Sequence, residues 1–376
     1  MEKKIVFINQ WTNHSTKDII NAFSTKYDDV ALIAGIISQS GRPLDKKVKV
    51  RRIMKYKKNS FRTRLISWIV ASIQIIFLVK TKFRDYHLFL VSNPPTTAFL
   101  PRFCRNSYSV QILDIYPDTL VASNFISEKS WLNKAWSHQN IKYFSGATNL
   151  FTISDGMAKT MSQYCDLEKI KVVYQWPPFF DDVKIEKRNN KFILSHSLSD
   201  KFIVMYSGNI GVGHHVDILV EVAALLKDRP DIIFTIIGDG FNKSLVEDKV
   251  REYQLQNCLV LPMQETELFQ HSSQAADIGV VSVSKNLASL MIPSKAYNII
   301  NNQIPILCIT EGESELSELV SNRKIGECFT PSQIEDIAEY IVALKQDENR
   351  IKEFKMNLAS CSKEFSSANA YKYLGN

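Results

Sequence analysis

Two turns in the second half of the chain combine residue types that bind phosphate. The first, Ser207–Gly213, contains three glycines and joins a strand-like run to a helical pattern that begins at Val216. The second, Pro293-Ser294-Lys295, opens another apolar helical pattern. A helix N-terminus presents unpaired N–H groups and a partial positive charge, so it attracts phosphate. Two such termini at one sheet edge could hold a diphosphate, which indicates a nucleotide-sugar ligand.

The details of both turns narrow this interpretation. Gly208, Gly211 and Gly213 have the spacing Gly-x-x-Gly-x-Gly, whereas the dinucleotide fingerprint is Gly-x-Gly-x-x-Gly with an acidic residue at the end of the following strand. The pattern therefore argues against a nicotinamide or flavin enzyme.

Lys295 lies in a first helical turn, where a cation opposes the helix dipole unless an anion is nearby. Its position therefore indicates contact with phosphate.

The charge of the chain is strongly uneven. The net charge is +7, but the first hundred residues carry +12 and the rest carry −5. Within residues 46–64 there are ten cations and no acid. The cations are Lys46, Lys47, Lys49, Arg51, Arg52, Lys55, Lys57, Lys58, Arg62 and Arg64.

An uncharged run of fifteen residues, Leu65–Val79, follows this basic segment. Fifteen residues make a helix of about 22 Å, which is shorter than the ~30 Å hydrocarbon core of a bilayer. The run therefore predicts a helix that lies in or against an anionic membrane surface, with cations at its ends. The alternative is a core helix beside a solvated basic loop. Nucleic acid is disfavoured, because an apolar run follows the cations instead of base-stacking aromatic residues on a sheet.

Length and composition predict a two-domain globular protein. A chain of 376 residues exceeds what one core usually fills. The six cysteines are scattered, as expected of a reducing compartment, and Lys3–Asn9 has the pattern of a first buried strand instead of a signal peptide. The sequence has neither a cysteine cluster nor a His-x-x-x-His pair with a further ligand, so it does not predict a metal site. It also has no Gly-x-Ser-x-Gly elbow, so it does not predict an acyl hydrolase.

Apolar strand-like runs alternate with helical patterns along both halves, which predicts an α/β fold with parallel, doubly wound sheets. The polar residues 181–201 have the composition of a linker. The predicted domains are residues 1–190 and 200–350, and residues 351–376 are predicted to form a helix that packs back on the first domain. The predicted strands are Ile5–Asn9, Val30–Ile33, Leu88–Ser92, Ser109–Leu113, Leu150–Ile153 and Val172–Trp176, then Ile203–Tyr206, Ile232–Ile237, Leu259–Leu261, Ile278–Val281 and Ile306–Ile309.

The order of short motifs resembles glycosyltransferase family four, and specifically its membrane-associated members that build bacterial surface polysaccharides. In the second half these motifs are Tyr-Ser-Gly-Asn at 206–209, Gly-Asp-Gly at 238–240, Ala-Asp at 276–277 and Pro-Ser-Lys at 293–295. In the first half they are residues 91–96, 114–118 and 151–157. The resemblance implies the GT-B fold, in which two Rossmann-like domains face each other across a cleft. It also implies retaining, metal-independent transfer of a hexose, with no cofactor.

The resemblance further implies which residues contact the donor. Gly208 and Asn209, with Gly211 and Gly213, would approach the diphosphate, and His214 occupies a place where many members carry lysine. The amides of Ser294 and Lys295 would hold the distal phosphate, and the Lys295 ammonium would stabilise the departing nucleotide. The remaining predicted donor contacts are Gly238 in its tight turn, Met263 at the base and Asn298 at the ribose.

In the first half, the resemblance implies that Asp114 faces the transferred sugar as a catalytic residue. The predicted acceptor contacts are Asn13, His14, Asn93 and Pro94. His14 and His138 are further candidates for acid–base or hydrogen-bonding roles, although lone histidines are more often structural.

Several positions depart from the family pattern. Leu290 and Asn298 replace the paired glutamates, and Asn209 and His214 replace a basic pair. The first loop, Gln10–His14, lacks paired glycines.

The sequence therefore predicts a glycosyltransferase at the inner face of the cell membrane. Its expected partners are a UDP- or GDP-sugar, an undecaprenyl-type lipid-linked or glycan acceptor and an anionic membrane surface, but no nucleic acid. Capsule, O-antigen and exopolysaccharide are the candidate products. Two alternatives stay open at this point: a degenerate, non-catalytic scaffold of the same fold, and a soluble nucleotide-binding oxidoreductase. The sequence does not specify the sugar, base, acceptor or linkage.

Overall fold

The chain folds into two compact α/β units. A computed structural model describes residues 2–57, 60–122, 125–178, 184–211, 214–283 and 292–375. The first unit comprises residues 1–178 together with 367–376, and the second comprises residues 179–366. Within the described residues, every strand pairing in both units is parallel, as the alternation of strands and helices predicted.

The first unit is built on a seven-stranded sheet with the order β5-β3-β1-β6-β7-β8-β9. A short pair, β2 with β4, lies beside it. Strand β1 is central, and the chain moves outward from it in both directions, which is the doubly wound arrangement. The strands are β1 (Lys4–Ile8), β2 (Trp11–Thr12), β3 (Asp29–Ala34), β4 (Ile36–Ile37), β5 (Lys49–Arg52), β6 (His87–Val91), β7 (Tyr108–Ile112), β8 (Leu150–Thr152) and β9 (Ile170–Val172).

Helices cover this sheet and bury its apolar strands. One buried cluster joins strands β1, β3, β6 and β7 to the long second helix through Ala71, Ile75 and Val79. The helices of this unit are α1 (His14–Ser24), α2 (Phe61–Lys82), α3 (Asp118–Ala122), α4 (Trp131–Gly146) and α5 (Asp155–Met161). Three further turns are 3-10 helices, at Pro95–Arg102, Leu167–Lys169 and Ser367–Leu374.

The basic segment is not the continuous loop that composition suggested. Strand β5 lies inside it and pairs with β3 at the sheet edge, where Lys49 Nζ contacts Asp29 Oδ2 at 2.6 Å. Cations on an edge strand discourage pairing with another chain. The helix is also longer than the uncharged run Leu65–Val79 that predicted it, because α2 begins after a capping box formed by Ser60 and Thr63. At 22 residues α2 is about 33 Å long.

Helix α2 is apolar on two faces. Trp68, Ala71, Ile75 and Val79 face the core, while a second stripe that includes Ile66, Ile69, Ile73 and Phe77 is exposed. By length and composition alone, Arg62–Lys82 could cross a membrane. In this fold one face of α2 packs in the core of the first unit and the other face is open.

The C-terminal 3-10 helix Ser367–Leu374 completes the opposite face of the first sheet. Tyr373 is buried there against Phe151 and Phe89, with ring centroids 4.7 and 6.1 Å away. Its hydroxyl accepts a hydrogen bond of 2.8 Å from Gln111 Nε2. The segment that returns to the first unit is therefore only these last residues.

The second unit contains a six-stranded sheet with the order β12-β11-β10-β13-β14-β15. Strand order reverses between β10 and β13, so the switch point lies where the two loops beyond these strands diverge. Its strands are β10 (Phe202–Ser207), β11 (Ile232–Ile237), β12 (Cys258–Leu261), β13 (Ile278–Val283), β14 (Ile306–Thr310) and β15 (Gly326–Phe329). Its helices are α6 (Lys191–Ser195), α7 (Asp217–Leu225), α8 (Lys243–Glu252), α9 (Thr266–Ser272), α10 (Ser294–Asn301), α11 (Glu315–Arg323), α12 (Ile334–Gln346) and α13 (Glu348–Cys361), with 3-10 turns at Lys187–Asn189 and Ser362–Phe365.

The observed division of the chain differs from the predicted one at both ends of the second unit. Residues 184–201 had the composition of a linker, yet helix α6 buries Phe192 and Ile193 in the second core. Helix α13, which lies mostly in the segment predicted to return to the first domain, packs instead against α10, α11 and α12. Both segments are polar on average, and a few buried side chains decide where each one packs.

Candidate active site

The carboxyl edge of the second sheet brings three predicted segments together at the switch point. The loop after β10 contains Gly208, the loop after β11 contains Gly238, and α10 begins with Ser294 and Lys295. The two glycine loops touch: a Cβ on Gly238 would lie 1.9 Å from the Gly208 carbonyl oxygen. A Cβ on Gly208 would lie 3.4 Å from the Lys295 ammonium nitrogen. The close backbone approach requires glycine at position 238, and the φ of +152° at Gly208 is one that residues with a side chain rarely adopt.

Among the residues at this edge, Lys295 has the most unusual environment. Its ammonium nitrogen is buried and, among the described residues, has no hydrogen-bond partner. It lies over the Tyr206 ring, 3.8 Å from the centroid. Burial lowers the pKa of Lys295 from its ordinary value of 10.5 to about 7. A buried ammonium group without a hydrogen-bonded partner is unfavourable unless a ligand supplies the countercharge.

Tyr206 was quoted as part of a motif but was not predicted as a site residue. It is fully buried, and its hydroxyl donates a 2.6 Å hydrogen bond to the Asn209 carbonyl oxygen. The phenol therefore fixes the glycine loop while its ring face supports the Lys295 ammonium. An aromatic residue placed two positions before the glycine of a phosphate turn was the available signal for this role.

His214 and His215 follow the glycine loop and add titratable groups to this edge. Burial, and then the Lys295 charge, lower the pKa of His214, although a hydrogen bond to the Ser282 backbone opposes this shift. Its Nδ1 is buried without a partner among the described residues. His215 Nε2 lies 3.3 Å from Glu311 Oε1, which comes directly after β14. The His215–Glu311 pair was not predicted.

The remaining donor predictions lie at the same edge with varying exposure. Among the described residues no side chain caps α10, so the first-turn amides at Ser294 and Lys295 stay available, and Asn298 is half-buried one turn further on. Met263 is exposed after β12, and Gly211 is buried behind Asn209 and His214. Gly213 and Leu290 lie outside the described residues.

The Ala276-Asp277 motif lies away from this site. Asp277 precedes β13, at the amino edge of the sheet, where its Oδ2 accepts a 2.9 Å hydrogen bond from Ile203 N. The same oxygen lies 2.7 Å from Lys187 Nζ. The carboxylate thus ties the start of the second unit to its sheet, which is a structural use of a motif residue.

In the first unit, Asp114 follows β7 at the carboxyl edge of the first sheet. Ser92 Oγ accepts hydrogen bonds from Leu113 N and Asp114 N, at 2.9 and 3.2 Å, and so fixes this turn. The carboxylate lies in a concavity where water reaches it, but surrounding protein atoms raise its pKa by desolvation. Asn93 and Pro94 form the neighbouring turn after β6, and Asn93 Oδ1 is buried without a partner among the described residues.

Aromatic side chains that were not predicted surround Asp114. Tyr116 and Trp136 line the same concavity, with ring centroids 6.2 Å apart, and Trp68 of α2 meets Tyr116 edge-on at 5.8 Å. Asn140 Nδ2 donates a 2.6 Å hydrogen bond to the Tyr116 carbonyl oxygen. Sugar rings pack well on aromatic faces, and the motif residues 114–118 already placed Tyr116 here, so the signal was present but unused.

The first-loop predictions have structural partners. The Asn13 side chain caps α1 by accepting a 2.9 Å hydrogen bond from Thr16 N. His14 Nε2 lies 2.7 Å from the Trp176 carbonyl oxygen, and burial lowers the pKa of His14. The neutral imidazole therefore donates from Nε2 to this carbonyl. Asn13 and His14 remain predicted acceptor contacts, and His138 is an exposed residue of α4.

The second unit matches a known family along most of its length. Residues 187–360 match the profile described as "Glycosyl transferases group 1". Over these residues, which are less than half of the chain, the protein is similar to group 1 glycosyl transferases. Within the described residues, no three His, Cys, Asp or Glu side chains come together as metal ligands would.

Two relatives and one solved structure agree with this assignment. WcaI of Escherichia coli (strain K12), assigned as a glycosyl transferase of colanic acid biosynthesis, is 29% identical over 137 residues, covering 36% of this chain and 33% of WcaI. The probable glycosyltransferase WbjE of Pseudomonas aeruginosa is 23% identical over 221 residues, covering 57% of this chain and 53% of WbjE. The match thus spans a third to about half of these relatives.

Among solved structures, Anabaena Alr3699/HepE in complex with UDP and glucose superposes with a TM-score of 0.72 at 13% identity. That match covers 99% of this chain and 98% of the Anabaena chain. Together with the parallel sheets, this match confirms the predicted GT-B fold. The family profile and the two relatives confirm the predicted resemblance to bacterial polysaccharide glycosyltransferases.

Proposed function

We propose that this protein transfers a sugar from a nucleoside diphosphate donor, UDP- or GDP-linked, to a lipid-linked or glycan acceptor of a bacterial surface polysaccharide. The observation that carries the proposal is the Lys295 ammonium, which is buried without a hydrogen-bond partner among the described residues. It lies beside Gly208 and at a helix N-terminus that no described side chain caps. The UDP and glucose named for the Anabaena neighbour support this ligand class.

In this mechanism the second unit stabilises the leaving diphosphate. The amides of Ser294 and Lys295, aided by the dipole of α10, bind the distal phosphate, and the Lys295 ammonium stabilises the negative charge that develops as the glycosidic bond breaks. Groups fixed before the reaction need no reorganisation and lower the barrier by several kcal/mol. We propose transfer without a metal ion and, as the family resemblance implies, with retention of anomeric configuration and with Asp114 as the catalytic polar group of the first unit.

A transfer assay tests this function against its rival. Purified protein is incubated with a panel of radiolabelled nucleotide sugars and bacterial membrane lipid, and lipid-extractable radioactivity is measured. We expect one sugar to be transferred, and chelation of divalent metal to leave the rate unchanged. Asp114→Asn is the control, since it is expected to abolish transfer while UDP binding persists. Binding of UDP or GDP without any transfer would favour a scaffold, and binding of neither would reject the donor site.

We further propose that the protein binds the cytoplasmic membrane surface through α2 and its flanking cations. The exposed stripe Ile66, Ile69, Ile73 and Phe77 is too apolar for an ordinary solvated face. Lys80 and Lys82 lie in its last turn, and Arg62 and Arg64 lie in its first. An apolar face with cations at both ends suits the interface of an anionic bilayer.

The membrane proposal predicts sedimentation with vesicles that contain anionic phospholipid. We expect most of the protein to pellet at low salt and about tenfold less at about 0.5 M salt, since surface charges are screened over a few ångström there. Ile66→Ser combined with Phe77→Ser should weaken pelleting further. Leu225→Ser, an equally exposed apolar position on α7 of the second unit, is the matched control and should pellet like the wild type. Equal loss in all variants would contradict a role for α2.

A further inference from the structure

An apolar groove runs between α2 and the 3-10 helix Pro95–Arg102. Its volume is about 230 Å³, and it is lined by apolar side chains together with three hydroxyl residues. Ser72 of α2 and Thr96 of the 3-10 helix hydrogen-bond across it at 2.5 Å between their oxygens. Ile69 and Ile73 on one wall, and Phe103 at its end, are exposed. An open groove with this lining excludes charged ligands and suits a hydrocarbon chain.

Arg64, whose Nε has no hydrogen-bond partner among the described residues, lies on the same helix, five residues before Ile69 of the groove. Arg64 is four residues before Trp68 and eight before Ser72, so the three share a face, and Arg64 precedes Ser72 by about 12 Å along the axis. The Arg64 Nε is buried, and among the described residues it has no hydrogen-bond partner. A buried guanidinium donor left open is the usual partner of a phosphate.

The charges of Arg64 and Asp114 act on the same two tyrosines. The Arg64 charge acts on Tyr56 and Tyr116, lowering the pKa of each against the effect of burial, and Asp114 acts on the same two tyrosines in the opposite direction. The buried Trp68 indole, which is 2% exposed, has its Nε1–H unpartnered among the described residues. Two hydrogen-bond donors, Arg64 and Trp68, thus lie on α2 on the N-terminal side of the groove, and Trp68 contacts Tyr116 of the Asp114 concavity. Thr97 lines both depressions.

We propose that this groove binds the hydrocarbon chain of a polyprenyl phosphate, with Arg64 contacting the phosphate. A lipid-linked acceptor carries its phosphate next to its hydrocarbon chain, and α2 supplies both a wall of the groove and Arg64. The inference rests on the proposed function for its biological meaning, because it names the acceptor class of that reaction. It differs from adsorption of α2 to a bilayer, since a single chain enters the groove instead of lying under the exposed stripe.

Calorimetry with soluble probes tests this site in the full chain. Farnesyl phosphate is titrated below its critical micelle concentration, and isopentenyl phosphate serves as the probe with the same head and a short chain. We expect farnesyl phosphate to bind at least tenfold more tightly, because burial of each additional carbon in the groove is favourable. Equal affinities, or no heat with farnesyl phosphate, would overturn the groove.

Variants locate the binding. Ser72→Phe fills the groove, and Ile73→Glu places a charge at its rim on a side chain that is 63% exposed and therefore harmless to folding. Both should weaken farnesyl phosphate binding tenfold or more. Phe77→Glu adds the same charge one turn further along, at a 64% exposed residue outside the groove, and should bind like the wild type. Arg64→Met should lose about tenfold for farnesyl phosphate but little for farnesol.

Measuring UDP and farnesyl phosphate binding separately distinguishes a failure of the groove from a failure of the donor site. UDP binding is measured on every variant, because it depends on the second unit and reports folding. Farnesyl phosphate binding without UDP binding would support the groove as a lipid site and contradict the proposed transferase activity. Affinity that Phe77→Glu lowers as much as Ile73→Glu would overturn the groove in favour of the exposed stripe. A dimer in sedimentation velocity that Ile73→Glu dissociates would assign the groove to a second copy of the chain and overturn the proposal.

Discussion

Replacing Lys295 with methionine is expected to lower the affinity for UDP by about 10- to 100-fold and the transfer rate by about 100-fold or more. The ammonium is the one cation described beside Gly208 at the first turn of α10, and methionine keeps most of its volume without the charge. Calorimetry with UDP and single-turnover transfer measure the two losses. Lys227→Met, on a lysine beyond the end of α7, is the matched control and should leave both quantities unchanged.

The same variant should be more stable than the wild type without donor. Burial lowers the pKa of Lys295 from 10.5 to about 7, so folding disfavours the charged form. The penalty is fully present below about pH 7 and fades as the pH rises toward 10.5, where the lysine is neutral in both folded and unfolded chains. Removing it should add about 1–3 kcal/mol to the free energy of unfolding at about pH 7. A lower melting temperature for Lys295→Met would contradict the buried charge.

The pH dependence of UDP binding gives this prediction a signature that simple misfolding cannot imitate. A bound diphosphate raises the pKa of Lys295, so binding takes up a proton above about pH 7 and affinity falls as the pH rises. Proton uptake, read from the heat of binding in buffers of different ionisation enthalpy, should approach one at about pH 8.5. In Lys295→Met this uptake should vanish, and what remains belongs to His214 and the nucleotide itself.

Substituting Gly238 with alanine is expected to destabilise the second unit by about 3 kcal/mol or more. The new Cβ would lie 1.9 Å from the Gly208 carbonyl oxygen, so the two loops that meet at the donor edge must separate. UDP binding should be lost together with stability. Thermal unfolding monitored by circular dichroism, with and without UDP, measures both effects.

Gly312→Ala separates steric contact from backbone preference. Gly312 has a φ of +85°, a left-handed conformation that disfavours alanine, but nothing lies within 4 Å of the position that an added Cβ would take. Its variant should lose only about 1 kcal/mol. If both glycine variants were equally destabilised, the close approach of the Gly208 and Gly238 loops would not be what holds this edge together.

The sheets were predictable because parallel strands buried on both faces are continuous apolar runs. Ile232–Ile237 was predicted to the residue, and Leu88–Ser92 was displaced from the observed His87–Val91 by one position. Strand β5 was missed because its residues, Lys49–Arg52, are mostly cations at an exposed edge, where burial no longer shapes composition. The length of α2 was underestimated because its charged first turn was counted with the loop, although Ser60 and Thr63 offered a capping signal.

The donor site was more predictable than the acceptor site. Gly208, Gly238 and Lys295 belong to local turns, and their meeting follows from the carboxyl ends of adjacent parallel strands. The support of Lys295 by the Tyr206 ring depends on a side-chain direction that no local pattern fixes. Tyr116 is a sequence neighbour of Asp114, whereas Trp68 and Trp136 come from α2 and α4, and only tertiary packing brings these two indoles to Tyr116. Spacing along the chain carries no information about such a cluster.

The position of Tyr373 in the sequence affects the order in which the two units can finish folding during translation. Because this side chain closes one aromatic layer of the first unit, beside Phe89 and Phe151, that layer lacks a member until the second unit, which precedes Tyr373 in the sequence, has been translated. The second unit draws on residues 179–366 and has no such wait. The half encoded first should therefore mature last, and during synthesis its unfinished aromatic surface is where a chaperone would have most to protect.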